Sequence, residues 1–285
     1  MKKVEITHPE KILFPKGKIT KQQLVDHYSR VSSKMLPLIK DRPISMLRFP
    51  HGINEEGFFQ KNAPEGIPSW VKTVKVERKE KEAIHMILCN DKETLLWLTN
   101  QNCITPHIWL SKYDRPDIPD RMIFDLDPPP RKDFKIVVEG AFFLKEVVEQ
   151  KFHLKPFVTT TGSKGLHVVI PIKRKFSFDD IRSFAREIAE ILVKEEPKKY
   201  TTEPRKEKRK GRLYIDTLRN GHGQTVVAPY SVRPYEGAPV ATPLFWEELK
   251  DPHLRSDAYH IDNMERRLKK NPWQRIEESA KTLVL

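Results

Sequence analysis

Two aspartates stand at the end of an apolar run, in the segment Arg121-Met-Ile-Phe-Asp-Leu-Asp-Pro-Pro-Pro130. In a β-strand, residues two apart point to the same face, so Asp125 and Asp127 would lie side by side in front of a rigid proline stop. Two carboxylates held this close repel each other unless a cation lies between them. Because Mg²⁺ and Mn²⁺ prefer oxygen ligands of this kind, the pair predicts a divalent metal site, with a solvated Asp-x-Asp loop as the alternative.

A glycine-containing turn within Thr160–Ile170 is the second chemical feature, and it lies between two predicted strands. Gly162 and Gly165 permit a sharp turn whose backbone is open to a ligand. His167 returns to the sheet at the edge of this turn. The side chains that could donate to phosphate oxygens are Thr161, Ser163 and Lys164. The segment is not a Walker P-loop, because no helix is predicted after it. It indicates a phosphate site, with a polar β-hairpin that has a cationic tip as the alternative.

A third carboxylate, Asp216, stands at the end of the predicted strand 213–215. A single aspartate at a strand end is usually a turn former, so a catalytic role for Asp216 is indicated only by its combination with the other features. Three carboxylates at strand ends, a phosphate-type turn and a basic surface together fit two-metal nucleotidyl transfer. In that chemistry, two divalent ions about 4 Å apart activate a primer 3′-hydroxyl and stabilise the leaving pyrophosphate.

The composition favours a polyanionic partner. The 285 residues hold 52 Lys+Arg against 39 Asp+Glu, which gives a formal net charge of +13 and a pI of about 9.5. Such a balance is typical of proteins that bind nucleic acid. Membrane attachment is not expected, because no apolar stretch approaches the ~20 residues that span a bilayer. Cys89 and Cys103 form neither a metal-ligand pair nor a disulfide framework, so we expect a cytoplasmic protein at the nucleoid.

The elements that must position these groups follow an α/β pattern. Thr20–Gln23 is typical of a capping box at the start of a helix. The apolar face predicted for that helix is Leu24, Tyr28, Val31 and Met35. Further helices are predicted at 93–100, at 135–150 with the apolar set Val138, Phe142 and Val148, and after Ser177–Asp180 with the face Ile181, Phe184, Ile188 and Ile191. Strands are predicted at 122–126, 157–160, 166–172, 213–215 and 225–228, and the basic segment 198–212 is predicted to be a mobile loop.

These motifs carry a family resemblance. Asp125–Asp127, Thr161–His167 and Tyr214–Asp216 resemble the three motifs of the archaeo-eukaryotic primase superfamily. Four other segments are similar to the polymerase domain of ligase D, which serves bacterial non-homologous end joining and has stand-alone archaeal relatives: Phe58–Lys61, Pro106–Trp109, Asp114–Pro116 and Gly223–Arg233. The resemblance runs from about Thr7 to Leu249, with Thr161 in place of the serine that is usual in the family.

The resemblance implies an α/β (α+β) primase-polymerase core, with an RRM-like mixed sheet flanked by helices and a second, N-terminal sheet. It implies one catalytic domain over about residues 1–250, with a DNA-end-binding part to about residue 110 and the catalytic core after it. Residues 251–285 are then expected to be an extension that packs on the core.

It also implies a role for each matched residue. The metal-binding and catalytic carboxylates would be Asp125, Asp127 and Asp216, with Asp216 nearest the primer hydroxyl. The nucleotide-binding residues would be Thr161, Ser163, Lys164, His167, His107, Arg48, Arg209 and Arg233. Lys11 and Lys21 would bind a 5′-phosphate, and Phe58 and Phe59 would stack against template bases. On the residues alone, Lys11 and Lys21 would be read as ordinary solvated lysines, and His107 could be a core histidine.

The implied function is gap filling and 3′-end extension at DNA double-strand breaks, with two Mn²⁺ or Mg²⁺ ions, NTP or dNTP as substrate and a preference for ribonucleotides. The implied partners are gapped or broken DNA with a 5′-phosphate, a DNA ligase and a Ku-type end-binding protein. A replicative-type primase and a non-catalytic end-binding module are the alternatives. The sequence contains no Lys-x-Asp-Gly motif of a nucleotidyl-lysine ligase, which leaves open a stand-alone polymerase or a fragment of a longer protein.

Overall fold

The computed structural model describes residues 4–78, 81–130 and 133–284, which divide into two compact units. The first unit holds the chain up to Pro116 together with Thr225–Ala241 and Tyr259–Lys270. The second holds Asp117–Gln224, Thr242–Ala258 and the chain from Asn271 onward. The expected division near residue 110 therefore lies close to Pro116, whereas the expected C-terminal extension contributes to both units. The single catalytic domain over residues 1–250 stays a prediction.

The first nine elements belong to the first unit. They are β1 (Ile12–Phe14), β2 (Ile19–Thr20), α1 (Lys21–Ile39), β3 (Pro43–Arg48), β4 (Phe58–Gln60), β5 (Thr73–Arg78), β6 (Lys81–Leu88), α2 (Lys92–Asn100) and β7 (Cys103–Trp109). The capping box at Thr20 and Gln23 is confirmed, since each side chain accepts from the other residue's backbone N–H. The predicted apolar face of α1 is fully buried: Leu24, Tyr28, Val31 and Met35.

The second unit follows with seven consecutive elements. They are β8 (Arg121–Asp127), α3 (Lys135–Phe152), β9 (Phe157–Thr160), β10 (Leu166–Pro171), α4 (Phe178–Glu195), β11 (Tyr200–Thr201) and β12 (Leu213–Asp216). After these, β13 (Thr225–Val227) returns to the first unit, β14 (Pro243–Leu244) to the second, and α5 (Met264–Arg267) to the first.

Each unit is built on one six-stranded sheet, antiparallel in the first unit and mixed in the second, and β1 and β2 of the first unit form a separate two-stranded sheet. The sheet of the first unit has the strand order β13-β7-β3-β6-β5, with β4 paired to β3. The sheet of the second unit has the order β11-β12-β8-β10-β9-β14, and all its neighbours are antiparallel except β11 and β12. The predicted α/β class with a second, N-terminal sheet is therefore confirmed. Within the described ranges, no helix is long and apolar enough to cross a membrane.

The central strand β8 shows how the second unit positions its polar groups. Successive side chains alternate between the two faces of a strand. Met122, Phe124 and Leu126 share one face and are fully buried. Asp125 and Asp127 share the other face and are half-buried. Since α3 and α4 both pack against β8, the strand is held by the core along its apolar side chains while its carboxylates stay accessible.

Three expectations need correction. The buried stripe of α3 runs through Val137, Ala141, Leu144 and Val148, whereas Val138 and Phe142 are only half-buried. The predicted set began one residue too late, which rotates the apolar face by about 100°. In α4, Leu192 is buried in place of Ile191, again by one position. The basic segment 198–212 is not a loop throughout, because Tyr200 and Thr201 form β11 and pair in parallel with β12.

Candidate active site

The strand register places the predicted catalytic groups in one row. Asp125 on the central strand β8 lies opposite Asp216 on β12 and, on its other side, opposite His167 on β10. Directly opposed residues of antiparallel strands point to the same face of the sheet, so the three side chains are neighbours. His167 Nε2 lies 3.5 Å from Asp125 Oδ1. Asp127 follows on the same face, opposite Tyr214.

The carboxyl of Asp216 has a raised pKa. Burial raises the pKa of its carboxyl above the ordinary value, and the negative charge of Asp125 raises it further. Burial is the largest of these effects. The Leu218 N–H, which donates to Oδ1 at 2.7 Å, lowers the pKa by more than Asp125 raises it, and Arg219 and the Tyr214 hydroxyl, 3.2 Å from Oδ1, lower it less. Asp216 therefore accepts a proton more readily than a solvated aspartate does.

Asp127 is paired with Arg209 from the basic segment. The guanidinium Nη1 donates to Asp127 Oδ2 at 2.7 Å, and the same group stacks 4.0 Å from the centre of the Tyr214 ring. Its Nη2 also donates to the Pro204 carbonyl at 2.9 Å. Arg209 is buried while the Asp127 side chain is 39% exposed, so the pair ties the basic segment to the end of β8 and leaves the carboxylate accessible from one side.

The carboxylates suit divalent cations by their chemistry. In the part of the chain that the structure describes, no three His, Cys, Asp or Glu side chains are already grouped to hold a metal ion. The carboxylates nevertheless fit a metal ion. Asp125 and Asp216 lie in register on neighbouring strands, and each negative charge disfavours ionisation of the other carboxyl, which a bound cation would offset. Which of the three aspartates hold metal ions stays a prediction.

Close packing and internal hydrogen bonds fix the conformation of the glycine turn. A Cβ at Gly165 would overlap the Leu126 carbonyl, so the turn can approach β8 this closely only with glycine there. Thr161 Oγ1 accepts from the Gly165 N–H at 3.2 Å and lies 3.1 Å from both the Gly165 carbonyl and Ser256 Oγ. Ser256 Oγ in turn donates to the Gly165 carbonyl at 2.7 Å. Because Thr161 is buried in these contacts, its hydroxyl shapes the turn and leaves Ser163 and Lys164 at the tip.

A cavity of about 700 Å³ opens beside the turn and the end of β8. Its lining includes Asp127 and Ser163 together with the cationic side chains Lys164, Lys206, Arg209 and Arg255. Asp133 and Asp257 also line this cavity, so its four cations face three carboxylates. Guanidinium and ammonium groups at the end of the carboxylate row can bind the oxygens of a polyphosphate.

In the first unit, Lys21 is a buried lysine next to other cations. Its side chain is 2% exposed, and its Nζ donates to the Thr7 carbonyl at 2.8 Å. Burial lowers the pKa of Lys21 from 10.5 to about 8, with further lowering from Lys11 and then Arg48, and Glu10 acts in the opposite direction. The alternative that Lys21 is an ordinary solvated lysine is therefore wrong.

The two phenylalanines of β4 are both exposed, Phe58 by 46% and Phe59 by 55%. Phe58 lies opposite Arg48 in the sheet, and the Arg48 guanidinium is 5.6 Å from the centre of its ring. Phe59 contacts the half-buried His107 edge to face, at 5.0 Å between ring centres. Both rings are therefore accessible from solvent.

The predicted site residues thus separate by unit. The second unit brings together Asp125, Asp127, Asp216, Thr161, Ser163, Lys164, His167 and Arg209. The first unit holds Lys11, Lys21, Arg48, Phe58, Phe59, His107 and Arg233. Of these, Arg233 lies apart from the exposed phenylalanines in sequence, on the segment after β13, with its guanidinium 5.9 Å from the Tyr235 ring centre.

Two contributing residues were not predicted from the sequence. Tyr214 could have been found, because it precedes Asp216 by two residues on the same strand and so shares its face. Burial and the adjacent carboxylate of Asp216 raise the pKa of the Tyr214 phenol, which keeps it a hydrogen-bond donor. Ser256 had no local signal, since only the fold brings it to the glycine turn.

Comparisons with known proteins agree with this geometry. The family described as "LigD, primase-polymerase domain" matches residues 20–273. The Bifunctional non-homologous end joining protein LigD of Bacillus subtilis (strain 168) is 35% identical over 269 residues, which cover 94% of this chain and 43% of that protein. The Multifunctional non-homologous end joining protein LigD of Mycolicibacterium smegmatis is 31% identical over 255 residues, covering 89% of this chain and 33% of that protein. The chain thus spans less than half the length of these two relatives.

A solved structure is also similar over nearly the whole chain. It is the polymerase domain from Mycobacterium tuberculosis ligase D in complex with DNA. The two share 27% sequence identity and a TM-score of 0.91, over 98% of this chain and 100% of that one. The resemblance predicted from the motifs is confirmed, and the chain belongs to the LigD primase-polymerase family of nucleotidyltransferase domains.

Proposed function

We propose that this protein is a template-directed polymerase that fills gaps and extends 3′ ends at DNA double-strand breaks during non-homologous end joining. The observation that carries the proposal is the row of Asp216, Asp125 and His167 across three neighbouring strands. A carboxylate pair in register, next to a braced glycine turn and a cationic cavity, provides the parts that nucleotidyl transfer needs.

The nucleotide would bind in the cavity beside β8. Ser163 and Lys164 at the tip of the turn, with Arg209 across the cavity, would hold the triphosphate by charge-assisted hydrogen bonds. His167 would add a donor at the level of Asp125. Because Arg209 already pairs with Asp127, a bound triphosphate would compete with that carboxylate for the guanidinium.

Asp125, Asp127 and Asp216 would hold two divalent cations, Mn²⁺ or Mg²⁺, which when bound would lower the pKa of the primer hydroxyl and neutralise charge on the phosphates. The chain's own contribution to proton transfer would be Asp216. Its Oδ1 accepts from the Leu218 N–H and the Tyr214 hydroxyl, and these two hydrogen bonds would orient the carboxylate toward the 3′-hydroxyl.

The first unit would recognise the broken end. Lys11 and Lys21 would bind the 5′-phosphate of the downstream strand, and Phe58 and Phe59 would stack on template bases for ~1–3 kcal/mol each, with no dependence on sequence. The preferred substrates would be ribonucleotides. A DNA ligase and a Ku-type end-binding protein would be partners at the same break, and the protein would work at the nucleoid.

Primer extension on a gapped DNA with a 5′-phosphate tests this proposal, with NTPs or dNTPs and with Mn²⁺ or Mg²⁺ in separate reactions. Asp125→Ala should lower the rate by about 10³-fold or more, since several kcal/mol of transition-state stabilisation would be lost. Asp26→Ala is the matched control, because Asp26 is an exposed aspartate of α1 outside the candidate site. Equal extension by the two variants would contradict the mechanism. Synthesis on a single-stranded template without primer would instead favour a replicative-type primase.

A further inference from the structure

The glycine turn of the candidate site is contacted by a segment much further along the chain, residues 251–258, which belongs to the same unit. This segment contributes Arg255, Ser256 and Asp257 to the lining of the cavity of about 700 Å³. Arg255 and Asp257 are exposed, whereas Ser256 is 3% exposed, and its Oγ donates to the Gly165 carbonyl at 2.7 Å. Ser256 therefore links the wall of the cavity to the turn.

The segment 251–258 holds its shape through its own hydrogen bonds. The Leu254 N–H donates to the Asp251 carbonyl at 3.1 Å, and the His253 N–H donates to Asp251 Oδ1 at 2.9 Å. Arg255 Nη1 donates to the carbonyls of Pro252 and Leu254, at 3.0 and 2.8 Å. Because Leu254 is also buried, the serine that follows these residues has a defined position from which to hold the turn.

The Gly165 carbonyl has a surplus of donors. Among the described residues, the Thr161 N–H lies 3.1 Å from it, Ser256 Oγ 2.7 Å and Thr161 Oγ1 3.1 Å. A carbonyl oxygen offers two lone pairs. The Thr161 N–H is fixed by the backbone, and the Ser256 contact is the shorter of the two from hydroxyls, so these two donors fill the carbonyl. The hydrogen of Thr161 Oγ1 then points to Ser256 Oγ, 3.1 Å away.

This surplus of donors defines what the loss of Ser256 does. Without the serine hydroxyl, the Thr161 hydroxyl turns its hydrogen to the Gly165 carbonyl, and the carbonyl keeps two donors. The cost of a buried unsatisfied carbonyl is thereby avoided, so the fold of the turn is retained. What disappears is the hydrogen bond between the turn and the segment 251–258.

The carbonyl that Ser256 holds belongs to the residue next to the tip of the turn. Lys164 directly precedes Gly165 and is exposed at the cavity. On the side of β8, the Leu126 carbonyl blocks movement of Gly165, because it lies where a Cβ would be. Ser256 holds the same glycine from the cavity wall. The ammonium group of Lys164 is thereby kept at the cavity, where a displacement of about 1 Å would weaken its contact with a phosphate.

We propose that Ser256 is a positioning residue for nucleotide binding, which acts through the Gly165 carbonyl on Lys164 at the tip of the turn. This inference rests on the proposed function, because the ligand for which the turn is positioned is the triphosphate of the incoming nucleotide. A serine with so little exposure acts on the nucleotide through the turn and not by a contact of its own.

The test compares Ser256→Ala and Ser256→Cys with the matched control Ser279→Ala. The cysteine fills the space of the serine but is only a weak donor. Ser279 is also in the second unit, and its Oγ likewise donates to a backbone carbonyl, that of Arg275 at 2.8 Å, outside the candidate site. Each variant is measured by steady-state extension of a gapped DNA, by calorimetric binding of inorganic triphosphate and by urea unfolding.

Both Ser256 variants should raise the KM for the nucleotide and the Kd for inorganic triphosphate by about fivefold, which corresponds to the ordinary net strength of one hydrogen bond. The kcat should stay within about twofold, because no group that meets the reacting atoms has changed. The urea midpoint should not move, since the Thr161 hydroxyl covers the Gly165 carbonyl. Ser279→Ala should match wild type in KM and Kd. An unchanged KM, or a loss of activity that comes with a lower urea midpoint, overturns the inference.

A double-mutant cycle with Lys164→Gln identifies the route of the effect. If Ser256 acts by positioning Lys164, Ser256→Ala should raise the KM by less than about twofold once Lys164 is already replaced. Residues that act independently would instead show the full factor of about five in both backgrounds, and that result would contradict the proposed role.

The same measurements separate this inference from the proposed function. If wild type extends the primer while Ser256→Ala leaves the KM for the nucleotide and the Kd for inorganic triphosphate unchanged, the positioning role is wrong and the function stands. If wild type does not extend but Ser256→Ala raises the Kd for inorganic triphosphate at an unchanged urea midpoint, the polymerase function fails and the positioning of the turn stands.

Discussion

Recognition of a 5′-phosphate by Lys21 should depend on pH in a range where an ordinary lysine does not titrate. Burial lowers the pKa of Lys21 to about 8, with the charges of Lys11 and Arg48 adding to the effect. A lysine with this pKa is about nine-tenths protonated at pH ~7 and about one-tenth protonated at pH ~9. Because only the ammonium form attracts the phosphate, the affinity for the 5′-phosphate should fall about tenfold over this range.

The other groups in the complex do not produce this change. A terminal phosphate has its second pKa at about 6, so it is already almost fully charged at pH ~7. A lysine at its ordinary pKa of 10.5 would stay almost fully protonated up to pH ~9. The direction is also defined: higher pH removes the proton from Lys21, and binding must therefore weaken, not strengthen.

The measurement is the ratio of Kd values for gapped DNA with a downstream 5′-hydroxyl and with a 5′-phosphate, followed from pH ~7 to pH ~9. Taking the ratio cancels pH effects on the rest of the DNA contact. Lys21→Gln is the control, and its ratio should be small and independent of pH. A wild-type ratio that stays constant within about twofold would refute the assignment of Lys21, since the pKa shift predicts about tenfold.

Three further predictions concern stability and the geometry of the site. Lys21→Met should stabilise the fold at neutral pH by about 1–2 kcal/mol in urea unfolding, because the cost of burying a charged lysine is removed although its hydrogen bonds are lost. This gain in the free energy of unfolding should shrink as pH rises from about 8 toward 10.5, where the lysine of the unfolded chain also loses its proton. Asn220→Ala should destabilise the protein by about 2–4 kcal/mol in the same assay, since both backbone groups of Ile123 lose their partner. Gly165→Ala should raise the KM for the nucleotide more than it lowers kcat in steady-state extension, because its Cβ would push the turn away from Leu126.

The parts of the fold that could be predicted from the sequence are those determined by residues close together along the chain. The capping box at Thr20 and the apolar face of α1 depend on residues within four positions of each other, and both were predicted correctly. The strand of Asp125 and Asp127 was predictable because an apolar run before a proline stop has few other structures available. The face of α3 was missed by one residue, since Val137 and Val138 are equally apolar and only the packing of the helix chooses between them.

The parts that could not be predicted depend on contacts between distant segments. The sequence indicates that Asp216 ends a strand, but only the pairing of β12 with β8 places it opposite Asp125. Lys21 looks like a solvated lysine at the first position of a helix, and it is buried because the chain at Thr7 folds over it. Ser256 reaches the glycine turn for the same reason, through the tertiary structure alone.

The strand order of the second unit places different side chains on the two flanks of Asp125. β8 is central, with β10 on one side and β12 on the other, so Asp125 has a histidine on one flank and a second aspartate on the other. The flank with β10 carries the glycine turn and the cationic cavity, and both suit phosphate. The flank with β12 carries Asp216, whose carboxyl has a raised pKa, and a smaller cavity lined by two arginines and Asp179. A one-residue slip of β12 against β8 would turn Asp216 to the opposite face, so the register of this single strand pair is what brings Asp216 beside Asp125.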